Sequence, residues 1–279
     1  MLWEHSLDNT FLLPGGLVLD EGRRVGQAAL RPLTGREEEW LARHTGTPSA
    51  LAVTRLLSEC LVWLDNAQIT SDLVRQLLVG DRDYLMLQLR GLTLGDEFAA
   101  VLACPACGTK MDVNFRASEV PVESRPQTAP FYTLKLREPQ PSGRTVRFRL
   151  PTGGDQEALL GTDPEVAVGA LMDRCLLDDG GVPLSPEERQ TVSEAMEPMA
   201  PQVELELDLT CPDCSQPFVV PFDTTTFFFD EMRMNAGRLL REVHALAFYY
   251  HWTEADILRL RRDRRREYLA LLSDTLRQE

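Results

Sequence analysis

Four of the six cysteines fall into two Cys-Pro-x-Cys units, Cys104-Pro105-Ala106-Cys107 and Cys211-Pro212-Asp213-Cys214. A two-residue gap lets both thiolates of a unit bind one metal ion. Two such units supply the tetrahedral four-cysteine set that holds structural zinc, Zn2+. Four thiolates close the coordination sphere and leave no position for water, so the expected role is structural rather than catalytic. Redox or disulfide use, or cysteines without metal, are the competing readings. In a reducing compartment paired cysteines more often mean metal. The separation is unusual: 103 residues lie between Cys107 and Cys211, where compact ribbons have about 15–20. Loop-closure entropy grows only with the logarithm of length, so a folded insertion between the pairs is tolerated. Cys60 and Cys175 sit among leucines on expected helices and read as core.

Other reactive groups lack context. His244 and His251 are seven residues apart without a ligand at one-turn spacing, and His5 and His44 have no motif around them. They read as packing or hydrogen-bonding residues. There is no Ser/His/Asp order, nucleophile elbow or metal-hydrolase motif. Only Lys110 and Lys135 are lysines, the other 27 basic residues being arginine, and neither follows a glycine-rich turn of the G-x-x-x-x-G-K kind. Asp178-Asp179 and Glu187-Glu188 read as solvated turn and helix-start residues. No enzyme class and no small-molecule substrate is indicated.

The elements that must position the cysteines change character along the chain. Leu12–Leu19 and Gln27–Leu33, joined by Asp20-Glu21-Gly22, read as a front hairpin. Thr34-Gly35-Arg36-Glu37 has capping-box form and starts a helix through about Arg43. Thr47-Pro48-Ser49 launches a second helix, Thr70 or Ser71 a third, and Asp81 caps a fourth. The period then switches. Glu97–Ala103 runs as a strand into the first cysteine unit and Met111–Phe115 runs out. Val203, Leu205, Leu207 and Leu209 alternate with acids into the second, and Pro217–Phe222 leaves it. Gly108 allows the positive φ that a metal knuckle requires. Between these halves, Tyr132–Leu136 and Thr145–Leu150 read as a hairpin around a Pro139–Gly143 turn. Helices are expected at Asp155–Leu160, Asp163–Leu177 and Ser185–Met196, and the linker candidate is Pro121–Pro130. The last segment is helical over Phe228–Tyr250, Thr253–Asp256 and Arg264–Arg277. The fold class is α+β: a helical N-terminal domain with a front hairpin (1–96), a split zinc-ribbon β unit (97–119 and 202–223) carrying a folded α/β insertion (120–201), and a helical C-terminal segment (224–279).

At 279 residues the chain is one large domain or two ordinary ones. Acidic residues outnumber basic ones 43 to 29, for a net charge of −14. That balance argues against a sequence-independent nucleic-acid binder, which needs a basic footprint. The one local exception is Arg259, Arg261, Arg262, Arg264, Arg265 and Arg266. It supports an alternative, a zinc-ribbon nucleic-acid-binding or transcription-type module, but Asp263 and Glu267 interrupt it and a salt-bridged helix explains it as well. The start lacks the basic and apolar regions of a signal peptide, and no apolar run approaches the roughly 18 residues of a membrane span. A cytoplasmic location is expected.

Three stretches resemble a known family. Leu77-Leu78-Val79-Gly80-Asp81-Arg82-Asp83-Tyr84-Leu85-Met86-Leu87-Gln88-Leu89-Arg90-Gly91-Leu92-Thr93-Leu94-Gly95-Asp96, running into the first knuckle, is similar to the baseplate hub assembly chaperone family of contractile-tailed phages and phage-tail-like contractile injection systems. Leu13–Gly16 with Leu30–Gly35, and Leu240–Leu258, match the same family. The region 120–200 shows the least likeness. The resemblance implies a non-enzymatic protein that assembles, or forms part of, a contractile-tail baseplate and binds a hub or spike protein. It also implies a protein that can be carried in an assembled tail-like particle. Phe227-Phe228-Phe229 with Phe248, Tyr249 and Tyr250 form the candidate apolar docking surface, although each also reads as ordinary core.

Overall fold

The computed structural model describes residues 9–19, 22–43, 49–125, 129–136, 144–178, 183–203 and 205–278. The front hairpin is β1 (Thr10–Val18) and β2 (Arg24–Leu30), paired from Thr10↔Ala29 to Val18↔Arg24 with a bulge between Leu12 and Leu17. Gly16 makes the bulge possible: its φ is +75°, and a Cβ there would lie 2.9 Å from the Val25 carbonyl oxygen. Residues Asp20 and Glu21 of the expected turn lie outside the described residues.

Helix α1 (Gly35–Arg43) begins at the capping box read from the sequence, with the Thr34 amide donating to Glu37 Oε2 at 2.7 Å. Helix α2 (Ala50–Cys60) is capped by Ser49, whose hydroxyl accepts from the Ala52 amide. Thr47 and Pro48 lie outside the described residues. Strand β3 (Leu61–Leu64) follows, and Thr70 caps α3 (Ser71–Gln76). Helix α4 (Val79–Leu94) begins two residues before Asp81. Asp81 is therefore not the cap. It is fully buried in the first turn, where its Oδ1 accepts from the Gly15 amide at 2.7 Å.

Two hairpins carry the cysteine knuckles, β4 (Glu97–Ala103) with β5 (Lys110–Arg116) in the first. Within the linker candidate, β6 (Val122–Glu123) is a short strand and the Arg125 amide donates to the Pro14 carbonyl, while residues 126–128 lie outside the described residues. The insertion begins with β7 (Tyr132–Lys135) and β8 (Thr145–Phe148), whose connecting turn at 139–143 lies outside the described residues. Helices α5 (Gly153–Ala158) and α6 (Pro164–Cys175) lead to β9 (Leu176–Asp178), a third strand beside β8. The helix expected through Leu177 thus ends at Cys175. Helix α7 (Pro186–Met196) opens with a capping box of Ser185 and Glu188.

The alternating stretch from Val203 is divided. Strand β10 (Gln202–Val203) pairs with β6, whereas β11 (Glu206–Thr210) pairs with β12 (Pro217–Pro221). The C-terminal stretch also divides, into α8 (Thr224–Met234) and α9 (Ala236–Tyr250), with Asn235 between them. Helices α10 (Glu254–Leu258) and α11 (Arg262–Gln278) complete the chain. The class is the expected mixture of helix and strand, with helices towards both ends and a cysteine cluster on β hairpins.

The chain divides into two units. One comprises Met1–Leu30, Ser49–Leu85 and Val120–Glu204; the other comprises Arg31–Pro48, Met86–Glu119 and Leu205–Glu279. In the first, the sheet order is β1-β2-β3, and a separate cluster of Leu136, Val146, Phe148, Leu184 and Val192 forms the core of the insertion. A buried guanidinium joins its helices: Arg82 donates to Thr54 Oγ1 and to the carbonyls of Val74 and Ala50. The second unit contains both knuckles, α1 and α8 to α11. There Arg90 binds Glu231 with two hydrogen bonds of 3.0 and 2.8 Å. The Phe228 and Phe229 side chains are buried, so they are core, whereas Phe248 and Tyr249 are exposed. Cys60 and Cys175 are fully buried, and burial pushes the Cys175 thiol up to about 11. No helix of the described residues is long and apolar enough to cross a membrane.

Candidate metal centre

Each knuckle forms the turn of a hairpin. Cys104 follows β4 and Cys107 precedes β5; Cys211 follows β11 and Cys214 precedes β12. The two turns repeat one hydrogen-bond pattern. The Cys104 amide donates to the Thr109 carbonyl and the Gly108 amide to the Cys104 carbonyl. The Cys211 amide likewise donates to the Gln216 carbonyl and the Ser215 amide to the Cys211 carbonyl. Closing the pattern puts the residue after the second cysteine in the left-handed region: Gly108 has φ +75° and Ser215 φ +58°. Gly108 was legible from its sequence. Ser215 was missed, although its place after Cys214 matches that of Gly108 after Cys107.

The hairpins belong to separate two-stranded sheets. Aromatic rings join them at the end away from the cysteines. Phe98 stacks on Phe115 at 4.6 Å, and Phe222 meets Phe115 and Phe227 edge-on or tilted at 5.0 Å each. The Arg90 guanidinium caps Phe98 at 3.8 Å from the ring centre. Between these rings and the knuckles, Val101 and Val219 are largely exposed and, among the described residues there, Ala100 and Leu207 alone are buried, so the apolar core of that stretch is small. A β unit this thin needs a second clamp at its other end.

The cysteines are gathered at that end. All four Sγ atoms lie within 4.8 Å of one another, with Cys104–Cys214 at 3.7 Å and Cys107–Cys211 at 3.6 Å. A tetrahedron of sulfurs about 2.3 Å from a central zinc has edges of about 3.8 Å, so the donor set and its spacing fit one such ion. These separations are far too long for disulfides, for which S–S is about 2.05 Å. The first cysteine of each unit, Cys104 or Cys211, is buried; the second, Cys107 or Cys214, is exposed. A hydrogen bond with the Thr109 hydroxyl and another with the Thr109 backbone, helped by the neighbouring thiols, bring Cys107 down to about 6. At Cys214 the Gln216 amide favours the thiolate, but the neighbouring thiols, Cys107 first, and desolvation together outweigh it and push it up to about 12. The knuckles are also linked directly, by the Thr109 hydroxyl donating to Asp213 Oδ2 at 2.7 Å. Residue types alone did not reveal that link, because 104 positions separate its members.

The other candidates disperse. His244 and His251 are both exposed, His251 closing α9 in the left-handed conformation, and His5 and His44 lie outside the described residues. The arginine cluster is mostly committed to carboxylates. Arg259 pairs with Asp256, Arg261 with Asp263 and Arg264 with Glu267. Arg262 and Arg265 point inward to Glu38.

A family profile described as T4 bacteriophage base plate protein matches residues 19–229, three quarters of the chain and both knuckles. The match runs through the insertion, where likeness was least legible, and stops short of the 240–258 stretch. Neither the curated proteins nor the solved structures yield a match.

Proposed function

Because this chain belongs to the T4 bacteriophage base plate protein family, we propose that it is a non-enzymatic assembly factor or structural component of a contractile phage-tail-like baseplate. The family match over residues 19–229 carries this reading. In its finer form the protein acts as a hub assembly chaperone: it works in the cytoplasm, binds a hub or spike protein through its helices, and uses Cys104, Cys107, Cys211 and Cys214 to hold one structural Zn2+. A bound zinc would supply cross-linking of the two knuckles and no open coordination position. The chain's own part is to present four thiolates, orient them with the paired turns, and brace the far end with phenylalanines.

Two measurements test this. Elemental analysis of the purified protein should give one zinc per chain, and Cys211→Ser should lose the metal and lower the melting temperature. Iron in its place would keep the tetrathiolate site but change the metal. A metal-free wild type as stable as the metallated protein would sink the structural-zinc reading. Separately, tagged protein expressed with its baseplate operon should copurify with hub or spike components and be indifferent to DNA. Binding to DNA that weakens steeply with salt, without baseplate partners, would favour the nucleic-acid module instead. The inward turn of Arg262 and Arg265 lends that alternative no support.

A further inference from the structure

A helix packed against a core normally turns a polar face outward. Helix α9 departs from this rule. Its inward side carries Leu239, Glu242 and Leu246, all buried. At 3.6 residues per turn, Gly237, Leu240, Arg241, His244, Ala245 and Phe248 lie on the opposite side. Leu240 is 61% exposed and Phe248 63%. Met234, the last residue of α8, is 75% exposed and extends the apolar run.

The face has a shape. Leu240, His244 and Phe248 form one i, i+4 row, and Gly237, Arg241 and Ala245 form the next. The small residues leave the groove between the rows shallow-walled: a Cβ on Gly237 would meet only the Arg241 guanidinium, at 3.6 Å. Such a groove accepts the i, i+4 ridge of another helix. From Gly237 to Phe248 it runs about 17 Å, the length of about three turns.

The face also has a sign. The only acidic residue of α9 is Glu242, and it is turned inward, where Arg238 and Arg265 bind it. Arg241 is exposed and has no ion-pair partner among the described residues. His244 lies against Phe248, with 6.2 Å between ring centres. On a chain of net charge −14, this is a leucine–phenylalanine strip beside which α9 itself presents the Arg241 guanidinium and no outward carboxylate. A two-fold pairing of the face with itself would bring two Arg241 guanidinia into one contact with no outward acid of α9 to offset them, whereas an amphipathic helix with glutamates or aspartates beside its apolar strip complements both features.

We propose that the outer face of α9, built from Leu240, His244 and Phe248 beside Arg241, docks an acidic amphipathic helix of another protein. The proposal rests on the reading that the chain works by holding a baseplate protein, and it names the chemistry of that contact. A fluorescein-labelled helical peptide of about five turns, roughly 18 residues, with a leucine strip flanked by glutamates, is the probe; its counterpart carries lysines instead. Both are titrated with the full-length protein at low ionic strength, where surface charge is least screened. The glutamate peptide should bind at least tenfold more tightly than the lysine peptide. Leu240→Glu and Phe248→Glu should each weaken its binding at least tenfold, and Arg241→Glu should reverse the preference. Circular dichroism and melting check that these surface variants keep the fold.

Equal binding of the two peptides, binding of neither, or variants that bind like wild type would overturn the proposal. So would a wild-type dimer in sedimentation, or adsorption to phosphatidylglycerol vesicles, that Phe248→Glu abolishes while peptide binding persists. Copurification of baseplate components distinguishes the two levels. If Leu240→Glu and Phe248→Glu retain them as wild type does, the face is wrong and the baseplate reading stands. If wild type retains none, that reading fails and the peptide titration alone decides the face.

Discussion

Arg265 and Glu38, 227 positions apart in the chain, meet at 2.8 Å inside the second unit with neither more than 6% exposed. The same guanidinium donates to Glu242 at 2.9 Å and to the Leu260 carbonyl at 2.8 Å. One side chain of α11 thereby binds α1 and α9 together. Burial pushes the Glu38 carboxyl above its ordinary range even though Arg265 and Arg262 oppose it. Desolvation dominates, so the pair is less a source of net stability than a demand that all its members be present.

That demand predicts the result of removing one. Arg265→Leu leaves Glu38 and Glu242 buried without their shared cation and should cost about 3–5 kcal/mol. Arg265→Lys should recover little, because an ammonium lacks the planar fork that reaches two carboxylates and a carbonyl. Urea unfolding of the three proteins measures this; a loss under about 1 kcal/mol in Arg265→Leu would contradict the buried-cluster account.

Asp81 predicts an unusual pH response. Burial drives its carboxyl up to about 6, against the opposing amides of Gly15 and Gly16. The folded state therefore holds the proton more tightly than the unfolded chain, whose value is 3.8. Stability from this group is complete below 3.8 and is lost as pH rises through about 6. Two pH units correspond to about 3 kcal/mol. Asp155 runs the other way. Burial raises it, but the Arg149 fork and the Thr152 amide prevail and hold it at about 2, so its contribution is lost as pH falls from 3.8 towards that value. Between about pH 7 and about 4.5 the difference in unfolding free energy between wild type and Asp81→Asn should move by about 2 kcal/mol in favour of wild type on acidification. A pH-independent difference would refute the assignment.

What the sequence made legible was local chemistry. The capping boxes at Thr34–Glu37 and Ser185–Glu188 start their helices as read, because cap and partner lie within one turn. The knuckles and their flanking strands were equally readable, since cysteine spacing and strand alternation are short-range signals. The misses have a common cause. Leu176–Asp178 continues an apolar helical pattern and becomes strand only because β8 offers an edge. Val203 and Leu207 share one alternation but pair with different strands. Asp81 has the look of a cap, yet its acceptor is used by an amide 66 positions away. In each case the deciding partner is distant in sequence. The aromatics of α8 and α9 make the same point: identical residue types became core at Phe228 and exposed surface at Phe248.

Two glycines of α4 should respond oppositely to the same substitution. A Cβ on Gly80 would lie 2.0 Å from the Pro201 carbonyl oxygen, and backbone cannot easily retreat. Gly80→Ala should therefore destabilise by about 2–3 kcal/mol despite alanine's higher helix propensity. At Gly91 nothing lies within 4 Å of the added carbon. Gly91→Ala should then gain up to about 1 kcal/mol from propensity alone. Shifts of the same sign in thermal melts would show that the close approach at Gly80 is not what holds that position to glycine.

The two knuckles differ at one equivalent position, which yields a reciprocal pair. Ser215 is held at φ +58° where Gly108 adopts +75°. A left-handed conformation costs a residue with a side chain roughly 1–2 kcal/mol, and glycine much less. Ser215→Gly should stabilise the metallated protein by about 0.5–1 kcal/mol, the gain being trimmed by glycine's greater freedom when unfolded. Gly108→Ala should cost about 1 kcal/mol. That cost is conformational rather than steric, because nothing lies within 4 Å of the added carbon. Metal affinity should follow, since thiolates presented by a relaxed turn need less reorganisation to close around an ion. Competition with a chromogenic zinc chelator reads the affinity, and unfolding midpoints read the stability. If both substitutions move these quantities in the same direction, the shared turn geometry does not govern how the two knuckles present their thiolates.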